Sequence, residues 1–481
     1  MRLFPRLERP DDGIVLRVGE RTLTARRLIE ACAGHRFRMH AAGAQPGAHV
    51  GVWTQPTLET AVALIANAAT GYVSIPLDPK LGSFELAHVV SDAKPVVALA
   101  AVPGSVESRL PHVPTIRVSL DGLSTASLEG RLVDDAPLLI LSTSGTTGLP
   151  KGAVLSARNI ASNLDALADV WEWTAADTVV HALPLFHVHG LVLGLFGSMR
   201  VGGALHWFPK FDASEIGAAL AERRSVFFGV PTMYHRLTEA SPEVLRGFSS
   251  ARLLISGSAG LPLRDRLRIE ALTGKRVHER YGLTETIINT AVTLQASDGA
   301  GTVGPALPGL ELRLVDDARA PLTVRDDATI GEVAVRGPNV FLGYLNRPEA
   351  TAAVKDAEGW FYTGDLACMR ADGSVRIVGR RATDLIKCGG FKVGAGEVEA
   401  ALLEHPLVRE AAVLGAPDED LGEKIVAFVV ASGAVEPSEL SGFVAAQLSP
   451  HKRPREVRIV SELPRNAMGK VQKSLLRDAL K

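Results

Sequence analysis

Over its first three quarters the chain alternates short apolar runs with stretches of helical composition. That alternation limits the folds open to it more than any other feature. His49–Trp53 is a short apolar run. Thr57–Gly71 follows with helical composition, and Pro56 stands where a first helical turn tolerates proline. Tyr72–Pro76 is strand-like, Leu138–Ser142 is a β run entering a Gly/Ser/Thr loop, and Ser156–Trp171 spaces its apolar residues as an amphipathic helix does. Val226–Val230 reads as a strand entering a helix near Pro231, and Arg252–Ser256 as another strand. This order predicts an α/β fold with parallel sheets covered by helices. Ligands on such sheets sit in crevices at the carboxyl ends of the strands.

After about residue 300 short strands dominate, at Leu310–Val315, Gly331–Arg336 and Ser374–Val378, and predict a compact barrel-like or antiparallel unit. A smaller block of strand and helix runs follows Arg380 and ends at Lys481. The punctuation places a domain boundary at about 380–384. At 481 residues the chain has room for several domains of roughly 100–200 residues. Its 46% hydrophobic content can build large cores without disulfide or metal staples. The 52 basic and 53 acidic residues leave no excess of positive charge to track phosphates, which argues against nucleic acid as a partner. Cys32, Cys368 and Cys388 have no metal-ligand spacing and are odd in number, so they read as reduced thiols in a cytoplasmic protein. In MRLFPRLERPDDG, Pro5, Glu8 and Pro10–Asp12 interrupt any apolar signal region. No apolar run reaches the roughly 18 residues that a spanning helix needs, so no membrane partner is expected.

The strongest local signal is TSGTTGLPKG at 143–152. A Gly/Ser/Thr loop after a strand can turn several backbone N–H groups and hydroxyls toward one anion, and Lys151 adds a positive charge. The usual P-loop is ruled out, because Pro150 rather than glycine precedes Lys151. Taken alone, such a cluster is an ordinary surface turn. Five further strings change that weighting: LPLFHVHG at 183–190, YGLTE at 281–285, YTGD at 362–365, GRRATDLIKCGGFKV at 379–393 and PRNAMGK at 464–470. In this order, the six strings resemble the motifs of the adenylate-forming superfamily, which includes the acyl-CoA synthetases.

The resemblance implies a large N-terminal domain over 1–380, made of two α/β subdomains and a β-rich one. A small mobile α+β C-terminal domain would cover 381–481. It implies a carboxylate attacking the α-phosphate of ATP, giving an acyl-adenylate and pyrophosphate, and a coenzyme A thiolate then displacing AMP. Thr143, Ser144, Gly145, Thr146, Thr147, Gly148 and Lys151 would cradle the β- and γ-phosphates. Thr284 would contact the α-phosphate and Glu285 would hold Mg²⁺, a hard cation suited to carboxylate oxygen. Gly257, Ser258, Ala259, Glu279, Tyr281 and Gly282 would line the nucleotide. Asp365 would take the ribose hydroxyls with Arg380 in support. Arg380 follows Gly379 as in the family but stands seven residues before Lys387, and Arg381, at six, is the alternative. Lys470 resembles the catalytic lysine that bridges the attacking carboxylate and the α-phosphate as a point charge. The C-terminal block would rotate about Arg381–Thr383 between two half-reactions, presenting Lys470 in one pose. In the other, Gly389, Gly390 and Lys392 would lie along the pantetheine arm. HKRPR at 451–455 is either a contact to coenzyme A phosphates or a solvated basic turn. PRNAMGK also resembles the surroundings of catalytic lysines controlled by acetylation, which implies a lysine acetyltransferase as a partner acting on Lys470.

Three features bear on the acid. FHVHG has His187 about where amino-acid-activating members carry aspartate, so an amino acid is disfavoured. His187 and His189, an i, i+2 pair, do not make a metal site; His189 is implied to line the carboxylate site and to move between the partial reactions. Arg280 precedes Tyr281, and Arg236 follows GVPTMYH on an expected pocket-wall helix. A buried guanidinium is costly unless paired, and a second carboxylate on the substrate would pair it. Finally LFHVHGLVLG, FGVPTMYHRL, ERYGLTET, YLNRPEAT and GRRATDLIKCGGFKVGAGEVE resemble the malonyl- and methylmalonyl-CoA synthetase branch. This implies malonate or a 2-substituted malonate as substrate, with ATP, Mg²⁺ and coenzyme A. Another short carboxylic acid is the rival.

Overall fold

Four sheets organise the computed structural model, which describes residues 2–122, 132–143, 150–296, 301–381, 384–389, 391–465 and 471–480, with Lys392 described in its backbone only. The first has eight strands, Thr290–Ala291, Val277–Tyr281, Leu253–Ser256, Ser225–Gly229, Thr178–His181, Ala204–Trp207, Ile14–Val18 and Arg21–Thr24, in that spatial order. Its interior pairs are parallel and its two outermost pairs antiparallel. The second has seven strands, Gly343–Tyr344, Lys151–Ser156, Pro137–Thr143, Val73–Leu77, His49–Trp53, Val97–Ala100 and Thr115–Arg117. Here Pro137–Thr143 and Lys151–Ser156 run antiparallel, so both ends of the 143–152 motif lie in paired strands. The expected parallel sheets are present, and antiparallel pairs finish both edges of the first and one edge of the second.

The helices explain the layering. Ala157–Trp171 starts at Ser156, whose Oγ accepts from Asn159 N (3.2 Å) while Asn159 Oδ1 accepts from Ser156 N (2.8 Å), a reciprocal cap. Its Ile160, Leu164, Leu167 and Trp171 are fully buried, one face of a 3.6-residue period. Leu58–Thr70 is capped by the Thr57 hydroxyl, so Pro56 lies just outside the helix, not in its first turn. Both helices feed one apolar core that also takes Val52, Leu139, Val179 and Phe228 from the two sheets.

The third sheet, Pro321–Leu322, Glu311–Val315, Gly331–Arg336, Phe361–Met369 and Val375–Arg380, is wholly antiparallel, the β-rich unit the short strands predicted. The fourth has Phe391–Gly394, Leu385–Cys388, Gly422–Ala431, Val408–Asp418 and, parallel to Gly422–Ala431, Glu456–Ile459. With the helices Ala395–Leu403 and Pro437–Gln447 it encloses its own core of Ile386, Val393, Val398, Leu402, Val413, Ile425 and Leu440. It docks on the rest through Arg264, whose N–H donates to Glu404 (3.2 Å) and whose guanidinium donates to His405 O (3.3 Å). No helix among the described residues is long and apolar enough to cross a membrane.

Candidate active site

The site is built around the carboxyl end of Val277–Tyr281. Successive residues of a strand face opposite sides, so Glu279 and Tyr281 serve one side and Arg280 the other. Beyond Tyr281 the chain turns back at once, and Asn289 N donates to Tyr281 O (2.8 Å). Gly282 is needed there, because a Cβ would collide with Ile287 O and the Ile288 backbone. The fold-back carries Thr284, half-buried, and Glu285, buried.

On the first side Tyr281 donates its hydroxyl to Asp365 (2.6 Å), and Arg380 pairs with the same carboxylate (2.8 Å). Asp365 and Arg380 are register partners on neighbouring strands. Arg381 turns away and pairs with Glu332 (2.7 Å) and Asp317 (2.8 Å), so of the two arginines it is Arg380 that reaches Asp365. Burial, then the negative Asp365, push the Tyr281 hydroxyl well above its usual pKa and keep it a donor. Glu279 accepts from Leu261 N (3.2 Å), and burial raises its carboxyl to about 7. Ser258 and Ala259 are exposed beside this end, Ser258 with φ of +74°, while Gly257 is buried.

At the two ends of the 143–152 motif, Thr143 and Lys151 are register partners. Lys151 Nζ lies 5.0 Å from the centre of the Tyr344 ring, and Tyr344 donates its hydroxyl to Glu285 (2.7 Å). Glu285 and Lys151 thus share one tyrosine. Among the described residues no group of three or more His, Cys, Asp or Glu side chains could hold a metal. A single carboxylate beside a lysine fits Mg²⁺, which typically uses one or two carboxylates plus substrate phosphates and water.

On the second side Arg280 is 6% exposed and has no salt bridge or hydrogen-bond partner for Nε or Nη2 among the described residues. Burial pushes its pKa down to about 9, so it is still a cation at neutral pH but an expensive one. It lies across Gly257, where a Cβ would collide with the guanidinium. His189 begins the π-helix His189–Phe196, is buried, and sits 3.4 Å from the Ser258 hydroxyl through Nδ1. Burial, then the positive Arg280, hold it well below its ordinary pKa, so it is neutral, and its Nε2 is unpartnered. His187 is also neutral, burial lowering it to about 4. Arg236 is not gathered into this group: it is exposed in the last turn of Pro231–Leu237.

Ser144, Gly145, Thr146, Thr147, Gly148, Gly390 and Lys470 lie outside the described residues, as do Ala382, Thr383 and the Lys392 side chain. Gly389 has φ of +57° and donates to Leu421 O (2.9 Å). The sequence reading assigned no role to Tyr344, Asn163 or Asn339, although the structure sets all three against the segment that carries Thr284 and Glu285. Tyr344 lies in the YLNRPEAT string and could have been found there; a buried asparagine has no comparable signature.

Residues 6–345 match the family described as AMP-binding enzyme, and residues 397–470 the AMP-binding enzyme C-terminal domain. A malonate–CoA ligase of Arabidopsis thaliana is 35% identical over 91% of this chain and 79% of its own length. Two solved structures are similar throughout. A malonyl-CoA ligase in a ternary product complex with methylmalonyl-CoA and AMP is 47% identical, with 96% of this chain and 100% of that one covered, at a TM-score of 0.73. ATP-bound MatB from Rhodopseudomonas palustris is 34% identical, with 99% and 98% covered, at a TM-score of 0.90.

Proposed function

The chain belongs to the AMP-binding enzyme family, and from that premise we propose that it ligates malonate, or a 2-substituted malonate such as methylmalonate, to coenzyme A. The reaction uses ATP and Mg²⁺, passes through an acyl-adenylate, and releases AMP and pyrophosphate. The observation that carries this reading is Arg280: a buried guanidinium with Nε and Nη2 unpartnered among the described residues, beside a neutral histidine, asks for an anion from the ligand. The distal carboxylate of malonate supplies it, whereas acetate and a fatty chain have none.

In this reading the chain supplies charge where charge accumulates. Asp365, fixed between Tyr281 and Arg380, accepts from the ribose. Lys151 and the 143–148 residues neutralise the β- and γ-phosphates. Thr284 donates to the α-phosphate, and Glu285 with substrate phosphates holds Mg²⁺, which when bound offsets phosphate charge as a Lewis acid. Gly257, Ser258, Ala259, Glu279 and Gly282 form the wall along the nucleotide. Lys470 bridges the attacking carboxylate and the α-phosphate as the new O–P bond forms and the bond to pyrophosphate breaks. His189, neutral and buried, lines the reacting carboxylate.

The division we infer is 1–380 and a mobile 381–481. It is supported by the separate core around Ile386 and Val413, and by family matches that stop at 345 and resume at 397. A turning C-terminal domain is supported by the comparison itself: the structure follows ATP-bound MatB more closely than the product complex, although the product complex is more similar in sequence. In the second pose Gly389, Gly390 and Lys392 lie along pantetheine. The same reading makes Lys470 open to a lysine acetyltransferase, since acetylation removes the charge it works with. It places the enzyme in the cytoplasm, in keeping with three buried, unpaired cysteines.

The test is a coenzyme A ligation screen over malonate, methylmalonate, ethylmalonate, succinate, acetate and octanoate, with pyrophosphate release read in parallel. Malonate or a 2-substituted malonate should lead. Preference for acetate or octanoate would move the chain to another short- or long-chain acid ligase.

A further inference from the structure

The segment that follows Tyr281 holds a conformation that its own residues do not favour. Ile287 has φ of +58°, the left-handed region, which is an outlier for a β-branched side chain. Its side chain is nonetheless in the core, 1% exposed. Such a residue persists only where the surroundings over-determine it. Glu285, Thr286, Ile288 and Asn289 are buried as well, so their backbone carbonyls need partners that neither water nor a regular ladder supplies.

Asn289 O takes the Leu307 N–H (2.9 Å), and for Thr286 and Ile288 the partners are two buried side-chain amides. Asn339 Nδ2 donates to Thr286 O (2.7 Å), to Ile288 O (3.3 Å) and to Asn289 Oδ1 (3.3 Å). Asn163 Nδ2, from the helix Ala157–Trp171, donates to Ile288 O (2.7 Å). A carbonyl only accepts, so both amides must turn their NH₂ groups to the segment. Phe341 N adds a bond to Glu285 O (2.8 Å). Asn163 and Asn339 are at most 1% exposed, and each leaves its Oδ1 unpartnered to serve the segment. We propose that Asn163 and Asn339 are positioning residues for adenylation: they clamp the strained 284–288 backbone and thereby aim Thr284 at the α-phosphate and Glu285 at the metal. This rests on the roles given to Thr284 and Glu285 above.

Asn339→Asp and Asn163→Asp keep size and replace each NH₂ by an oxygen, leaving at most one O–H donor. Hydrogen exchange of the peptide spanning 281–290 in the ligand-free enzyme should speed up in both. A misplacement on the ångström scale at a reacting group costs roughly 10- to 100-fold, so pyrophosphate release in single turnovers with ATP and malonate should fall by that factor. The Mg²⁺ concentration for half-maximal rate should rise, and thioester formation from supplied malonyl-adenylate should stay near the unchanged rate. Asn67→Asp is the control. Asn67 is equally buried, bonded to His35 (2.9 Å) and Ser74 (3.1 Å), and its loss should lower the melting temperature without splitting the half-reactions. If Asn339→Asp does not fold, Asn163→Asp, which withdraws one bond, decides. Unchanged exchange of the 281–290 peptide overturns the clamp whatever the substrate, and so does an equal fall in both half-reactions. A wild-type enzyme that releases no pyrophosphate with malonate overturns the reading beneath it and leaves the exchange arm to judge the clamp.

Discussion

The two sides of Val277–Tyr281 differ in how far the protein completes its own charges. Toward Tyr281 and Glu279 the two carboxylates have protein partners: Asp365 is held by a tyrosine hydroxyl and an arginine, and Glu279 takes the Leu261 N–H. One residue away, Arg280 is as deeply buried, and its Nε and Nη2 have no partner among the described residues. A buried cation left open in this way costs several kcal/mol, and folds keep such a cost where a ligand offsets it. On the proposed reading, the carboxylate that takes the ribose is therefore held in place before ATP arrives. On the same reading, Arg280 is completed only by the substrate, and specificity belongs there.

The sharpest way to break that contrast is Arg280→Met. Losing a charge-assisted hydrogen bond costs roughly 1.5–3 kcal/mol, or about 10- to 150-fold in kcat/KM for malonate, while acetate should be nearly unaffected. The ligand-free variant should melt higher than the wild type, because an unpaired buried charge is replaced by an apolar side chain of similar volume. Equal losses for malonate and acetate, with a lowered melting temperature, would make Arg280 a structural residue and end the comparison.

Glu279→Gln probes the opposite side through stability. The folded carboxyl titrates at about 7 against an ordinary 4.5. Between those values the folded state holds the extra proton, so stability falls as pH rises, and above about pH 7 the whole cost is present. Glutamine keeps an oxygen for Leu261 N and carries no charge. The variant should therefore gain roughly 1–2 kcal/mol on the wild type near pH 8 and lose that advantage as pH drops toward 4.5, as denaturant melts at several pH values would read. A gain independent of pH would mean that Glu279 is not the titrating group. A smaller effect is expected of Tyr281→Phe, since Asp365 keeps Arg380: about 1 kcal/mol in nucleotide binding, seen as a KM for ATP that rises about fivefold with every acid tested. A change confined to malonate would join the two sides that we separate.

Much of this was legible in the sequence, and the gaps have physical causes. Alternating apolar runs disclosed parallel sheets under helices, but not the Lys151–Ser156 strand, whose short apolar run AVL is absorbed by the motif before it. Pro56 looked like a first-turn proline because helix-start preferences tolerate it at that place, yet Thr57 supplies the cap and moves the start past it. Motif order put Asp365, Glu285 and Arg280 in one site. Whether Arg280 had a protein partner is a tertiary fact that no neighbour in sequence discloses. The choice between Arg380 and Arg381 likewise waited on strand alternation, which sends the first to Asp365 and the second to Glu332. Asn163 and Asn339 stayed silent because a buried amide acquires its task from a backbone more than a hundred residues away in one case and about fifty in the other.

The last and smallest effect separates two arginines that the sequence presented as a pair. Arg236 is exposed on the final turn of Pro231–Leu237, next to His235, whose Nδ1 lies 2.9 Å from Asp265. A flexible exposed cation can attract a dicarboxylate, but water and salt screen it, and holding its long side chain in one place costs entropy. Its contribution should be about 1 kcal/mol or less. Arg236→Ala should thus raise KM for malonate by less than about fivefold, leave kcat nearly unchanged, and lose most of that effect at 1 M salt, where screening acts over about 3 Å. The Arg280→Met loss should be much less sensitive to the same salt, because a buried pair is screened far less than an exposed one. If Arg236→Ala instead matched Arg280→Met in size and in resistance to salt, the exposed position of Arg236 would not be its working one, and binding would have to draw that helix turn into the acyl site.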